Sequence, residues 1–245
     1  MKFLDINIIY EDHYIIVINK FINMKIHESF KFDKLTLMNF LLYNYPYLES
    51  LPRCGILHRL DKNTTGLLIV AKTFFSYNYL INQFKNKLIM RSYVAVVYGS
   101  FITGGIVIAP IVKCFKKNIF MNVVKEGDNA ITSYRILKKF LYFTLIKLLL
   151  KTGKTHQIRV HMQHINHNIL GDSLYDKFTI NDFFDKNLKF ILKIIKRQLL
   201  HANKLIIKHP YTNKYMMWNI SLTDDFNDLL IKLELYDSYF SCVKY

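Results

Sequence analysis

A run of five apolar residues, Leu67-Leu68-Ile69-Val70-Ala71, follows directly on a polar turn, Asp61 to Gly66. No other feature of the chain constrains its fold as much. A short apolar run of this kind, bounded by turn residues, predicts a buried strand. Lys62-Asn63-Thr64-Thr65-Gly66 supplies the residues that build turns. Asp61 therefore stands at a strand mouth, on a loop held by rigid structure, where reactive groups tend to sit. Arg59 lies two residues upstream. An aspartate in a turn is more often a cap than a reactive group, and the local pattern does not decide between the two.

The rest of the chain reads as mixed elements without regular strand-helix alternation. Ile8 to Asn19 predicts a hairpin entering a sheet. Leu35 to Tyr45 has near-helical apolar spacing and stops before Pro46. Tyr77 to Leu88 predicts a helix with Leu80, Ile81, Phe84 and Leu88 on one stripe. Tyr93 to Gly99, Ala130 to Leu137, Tyr142 to Leu150 and Leu205 to Lys208 read as strands. Gly104-Gly105 marks a turn. Gln157 to Ile165, a basic amphipathic stretch Asn187 to Leu200, and Asp224 to Leu235 read as helices. This order predicts an α+β fold around a largely antiparallel sheet with flanking helices, residues 1–245 forming one domain.

Composition narrows the class. At 245 residues and 51% hydrophobic content the chain can bury a sizeable core. Its formal net charge of +16 suits a polyanion, with nucleic acid ahead of an acidic membrane surface. A general preference for Lys, Asn, Ile, Tyr and Phe would raise the charge as well. Cys54, Cys114 and Cys242 are scattered and odd in number, which fits a reducing compartment, the cytoplasm, better than a disulfide framework. Asp5, Glu11 and Asp12 interrupt the apolar N-terminal stretch, so no secretory signal is expected. Phe140 to Leu150 is too short to span a bilayer, and no membrane contact is expected. His156, His161, His164 and His167 cluster, but no carboxylate or cysteine nearby completes a metal site, so no metal is expected.

His58-Arg59-Leu60-Asp61-Lys62-Asn63-Thr64-Thr65-Gly66-Leu67 resembles the active-site signature of the large-subunit pseudouridine synthase family. Further strings match in order: Ile9-Tyr10-Glu11-Asp12, Arg91-Ser92-Tyr93-Val94-Ala95-Val96-Val97-Tyr98-Gly99, Thr152-Gly153-Lys154-Thr155-His156-Gln157-Ile158-Arg159, Leu170-Gly171-Asp172 and Leu200-His201-Ala202. The resemblance covers nearly the whole chain from about Ile8. It implies the pseudouridine synthase fold, with a central active-site cleft, and a cofactor-free isomerase acting on RNA. Uridines in a stem-loop of 23S rRNA are the implied substrate, with tRNA or both RNAs as the alternative and a non-catalytic RNA-binding ribosome assembly factor as the rival reading; a monomer is expected. Two departures stand out. Lys20-Phe21 replaces the family's usual Lys-Pro, and, because the matching strings begin close to Met1, the N-terminal S4 RNA-binding domain common in the most similar subgroup is not expected.

The resemblance makes Asp61 the catalytic carboxylate. Turning uridine into pseudouridine breaks a C1′–N1 bond and re-forms it as C1′–C5. A carboxylate can attack the sugar carbon or assist departure of the base, as in retaining glycosidases. The base must first leave its stack. The resemblance assigns to Arg159 the guanidinium that keeps Asp61 ionised, a phosphate contact being the other reading. Tyr93 would stack on the flipped uracil and could act in proton transfer, with a packed core tyrosine as the competing reading. Arg59 resembles the arginine that fills the gap left by the base, or else contacts phosphate. Ile158 would pack under the uracil or in the core, and His58 and Thr65 are further RNA-binding positions. The helix at 187–199, with Lys186, Lys189, Lys193, Lys196 and Arg197, reads as a solvated or phosphate-tracking face.

Overall fold

The computed structural model describes residues 6–27, 36–115, 119–176 and 184–243, without the side chains at 115, 119 and 241–243. In chain order its strands and helices begin with β1 (Asn7–Glu11), β2 (Ile15–Lys20), α1 (Leu37–Asn44), β3 (Thr65–Ala71), α2 (Phe74–Lys85) and β4 (Met90–Tyr98). β5 (Gly105–Ile108), β6 (Ile111–Phe115), β7 (Ile119–Val123), β8 (Ile131–Lys139) and β9 (Phe143–Leu150) follow. α3 (Gln157–His164), α4 (Lys186–Lys193), β10 (Leu200–Lys208), β11 (Tyr215–Asn219) and α5 (Asp224–Val243) complete the described residues. The architecture is α+β, with β1–β2, β2–β3, β5–β8, β6–β7, β8–β9 and β10–β11 paired antiparallel.

The chain divides into two compact units, Met1–Arg91 with Ala202–Ile220, and Ser92–His201 with Ser221–Tyr245. In the first, the sheet runs β1-β2-β3-β10, with β11 paired to β10. The β1–β2 turn forms because the Asp12 carboxylate accepts the backbone N–H of Tyr14 and Ile15, at 2.7 and 2.8 Å. β3 is buried along its whole length, as its apolar run predicts. Burying each of Leu68, Ile69 and Val70 stabilises the fold by roughly 1.5–3 kcal/mol. On the core face Ile69 and Leu67 meet Ile15, Val17, Leu80, Leu205, Ile207 and Trp218.

α1 stops before Pro46, as expected, and Thr36 caps it by accepting the N–H of Asn39. Leu35, the expected first residue, lies outside the described residues. α2 begins three residues earlier than its apolar stripe suggests. Thr73 and Ser76 form a capping box that fixes the start at Phe74. The helix ends at Lys85, before Lys87 turns into the left-handed region.

In the second unit the sheet runs β4-β9-β8-β5, and β6–β7 form a separate hairpin. Val94, Val96, Phe143 and Leu145 pack against Leu188 and Leu192 of α4 and Phe226, Leu229 and Leu233 of α5. The basic helix expected to reach Leu200 ends at Lys193. Beyond it, Arg197 is only 2% exposed, and its Nε and Nη2 bond the Asp225 carboxylate at 2.6 and 3.0 Å. A guanidinium consumed in this way does not track phosphates, so that part of the sequence reading is corrected. Leu200 opens β10, which runs nine residues rather than the expected four. β5, β6, β7 and β11 were not expected from the sequence. Cys54 and Cys114 are free thiols, and the Cys242 side chain lies outside the described residues.

Candidate active site

In the first unit the segment from Leu51 to Gly66 folds under unusual backbone constraint. Arg53, Cys54 and Gly55 adopt φ of 52°, 52° and 75° in succession. A left-handed conformation costs roughly 1–2 kcal/mol at each of the two non-glycine positions. Gly55 is required for a second reason: a Cβ there would meet the Ala71 carbonyl oxygen at 2.0 Å. The turn thus lies flat on the end of β3, and Ile56 bridges to Val70. His58 takes the next hold, its Nε2 accepting the N–H of Ile69 at 3.2 Å.

The chain then reverses at Asp61, where Thr64 N–H donates to the Asp61 carbonyl at 3.0 Å. A buried cation fixes this turn from below. Lys20, fully buried at the end of β2, donates through Nζ to the carbonyls of Phe21, Met24 and Lys62 at 3.0, 3.1 and 3.0 Å. The lysine of the altered Lys20-Phe21 pair therefore supports the residue next to Asp61. Thr64 and Thr65 are buried, Asp61 is half-buried and Arg59 is exposed. At Gly66, with φ of 112°, a Cβ would meet the Ala202 carbonyl oxygen at 2.3 Å, so β3 starts in close contact with β10.

In the second unit Tyr93 lies on β4 and is 4% exposed. Ile158 and Arg159 lie in the first turn of α3, both buried. Gln157 anchors that turn: its Oε1 accepts from Thr152 Oγ1 and Lys154 N–H, and its Nε2 donates to Ile131 O and Thr132 Oγ1. Arg159 grips the fully buried Asp172 with two bonds of 2.7 Å, Nε to Oδ2 and Nη2 to Oδ1. Its guanidinium carbon also lies 4.9 Å from the centre of the Tyr175 ring. Asp172 accepts the N–H groups of Leu174 and Tyr175 as well, so the guanidinium is oriented by a carboxylate that is itself fixed.

The sequence pattern of the RNA pseudouridylate synthase family matches residues 13–164. The chain belongs to that family. Ribosomal large subunit pseudouridine synthase D of Buchnera aphidicola (subspecies Schizaphis graminum) is 42% identical over 231 residues, which cover 94% of this chain and 73% of that protein. The protein of that name from Pseudomonas aeruginosa is 40% identical over 228 residues, covering 93% and 71%. Human RNA pseudouridylate synthase domain containing 4 has the same fold, with a TM-score of 0.72 at 24% identity over 93% of each chain. The expected family, fold class and RNA isomerase chemistry stand.

Within this pseudouridylate synthase, His58, Arg59, Asp61 and Thr65 lie in the first unit, and Tyr93, Ile158 and Arg159 in the second. Sequence reading missed Lys20 and Asp172 as supports. Asp172 was visible only as part of a glycine-aspartate turn. In the histidine cluster, His161 bonds Thr132 Oγ1 and Ala109 O, His156 bonds the Tyr175 hydroxyl, and His167 bonds Tyr98 O at 2.7 Å and stacks on Phe101. These rings hold the second unit together. No helix among the described residues is long and apolar enough to cross a membrane.

Two histidines whose ring nitrogens are shielded from water, one in each unit, set an acid limit on stability. The Ile69 N–H directed at Nε2 makes His58 neutral, with its proton on Nδ1, which is buried and without a hydrogen-bond partner among the described residues although the residue as a whole is half-buried. Burial, reinforced by Arg91, depresses its pKa to about 3. Burial and Arg197 depress that of His201 to about 4. The unfolded chain binds protons at both from about pH 6.5 downward, whereas the folded chain does not. Stability is therefore full above that pH and falls as pH drops toward 4, by up to about 1.4 kcal/mol per pH unit for each ring. Urea unfolding between pH 7 and 4.5 should show the fall, and His58→Gln should make it shallower. An equal slope in the variant would rule His58 out as a source.

Proposed function

We propose that this enzyme converts uridines of 23S ribosomal RNA to pseudouridine, with Asp61 as the nucleophile. The names of its relatives and the net charge of +16 support the substrate. The observation that carries the assignment of Asp61 is its turn, held by the buried Lys20 ammonium at the Lys62 carbonyl and preceded by His58 bonded to β3, with Asp61 a half-buried residue at the mouth of that strand. Rigid support of this kind is what a reacting group needs, since small misplacements cost large rate factors.

The Asp61 oxygen attacks C1′ of an extruded uridine, and the C1′–N1 electron pair leaves with the uracil. The base turns, C5 attacks C1′, and the Asp61–C1′ bond breaks in favour of C1′–C5. The proton lost from C5 is balanced by one gained at N1. The Tyr93 phenol serves this transfer and its ring offers a stacking face. Arg159, oriented by Asp172, supplies the positive charge that keeps the nucleophile ionised. Arg59 fills the gap left by the base, Ile158 packs under the uracil, and His58 and Thr65 hold the loop against the RNA. The enzyme acts as a monomer in the cytoplasm and uses no cofactor.

Purified protein should form pseudouridine in a 23S rRNA transcript, read by chemical mapping, and leave a tRNA pool unmodified. Modification of tRNA alone would refute the substrate assignment. Tyr93→Phe should lower turnover by about 100-fold or more with RNA affinity kept. A wild-type rate in that variant would reduce Tyr93 to a stacking surface.

A further inference from the structure

The second unit leaves part of one sheet face open. Thr132 of β8 turns toward α3, where it bonds Gln157 and His161. Ser133 and Arg135 therefore point to the opposite face. On that face α4 and α5 cover Phe143 and Leu145, whereas at the neighbouring end Ile106 and Arg135 are exposed and Ser133, Lys147 and Leu149 only half-buried among the described residues. There Arg135 sits directly across from Lys147, and Ser133 lies between Ile106 and Leu149. Together with Gly104, Gly105 and Tyr134 these side chains line a cavity of about 270 Å³.

Two cations facing each other across a ladder destabilise it. Among the described residues neither Arg135 nor Lys147 has an ion-pair partner, although Lys138 and Lys154 nearby in the unit pair with Glu234 and Asp128. Gly104 keeps the rim beside Arg135 low, since a Cβ there would meet the Tyr134 carbonyl oxygen at 2.8 Å and Arg135 Cα at 3.4 Å. A bound anion removes the repulsion, and a phosphodiester has the charge and oxygen geometry for an arginine fork with a lysine point charge opposite. We propose that this open face is a second RNA contact, in which Arg135 and Lys147 hold a backbone phosphate of RNA flanking the target nucleotide. The proposal rests on RNA being the substrate, and it assigns to this face affinity rather than chemistry.

The test is the salt dependence of binding to a 23S rRNA transcript, with turnover at saturating RNA measured in the same preparations. For Arg135→Ala combined with Lys147→Ala, the slope of log affinity against log salt should fall by about 1–2, and affinity at 0.1 M salt by about tenfold or more. Turnover at saturation should match wild type. Lys147→Glu places an acid opposite Arg135, so it should lose the same slope while melting at or above the wild-type temperature. An unchanged slope in both variants overturns the proposal. So does a loss confined to whole ribosomal particles with naked RNA unaffected, which would make the face a protein surface. Wild-type protein that binds the transcript but makes no pseudouridine refutes the proposed function instead, while the slope still reads the phosphate contact.

Discussion

Asp61→Asn should abolish pseudouridine formation, by at least about 10⁴-fold, while leaving RNA affinity within a few-fold. The substitution replaces one carboxylate oxygen with an amide nitrogen of nearly the same size. An amide is neither charged nor a competent nucleophile toward a sugar carbon, so the chemical step has no substitute. The local fold survives because backbone groups hold the turn: Thr64 N–H reaches the Asp61 carbonyl, and Lys20 reaches the carbonyl of Lys62. Neither bond uses the Asp61 side chain. Melting temperature and binding by fluorescence anisotropy should therefore stay close to wild type. Product formed at more than a thousandth of the normal rate would show that another group attacks the ribose, or that none does.

How much of this was legible in the sequence depends on the kind of force involved. β3 and its turn could be read because five apolar residues in a row have no other economical burial, and Thr65 to Ala71 are indeed buried. The β1–β2 hairpin, β8, β9 and α3 also fall where their patterns place them. β11 was missed because Tyr215-Met216-Met217-Trp218 is apolar on both faces: Tyr215 and Met217 are exposed while Trp218 is buried, and no alternation shows in the letters. β5 was missed for a related reason, since Ile106 and Ile108 are 66% and 73% exposed and mimic core residues. α4 was drawn too long because Lys196 and Arg197 continue a basic pattern that tertiary pairing with Asp225 interrupts. Lys20 could not be read as a buried support at all, because its acceptors are backbone carbonyls that only the folded turn brings to it.

The same limit applies to Arg159 and Asp172, thirteen residues apart and paired only by the fold. Asp172→Ala should be the most destabilising single change in the second unit outside its apolar core. It leaves a guanidinium that is 6% exposed without the carboxylate that accepts two of its bonds, and it orphans the N–H groups of Leu174 and Tyr175. Removing one partner of a buried ion pair costs about 3–5 kcal/mol. At roughly 2–4 °C per kcal/mol for a chain of this size, the melting temperature should drop by about 6–20 °C. Stability and catalysis can then be separated with a second variant. Arg159→Met combined with Asp172→Leu removes both charges, so no buried ion is left uncompensated, and most of the lost stability should return. Turnover should not return, because the cation assigned to the nucleophile is gone. If the double variant recovers both, Arg159 serves only the fold, and the charge that keeps the nucleophile ionised comes from elsewhere.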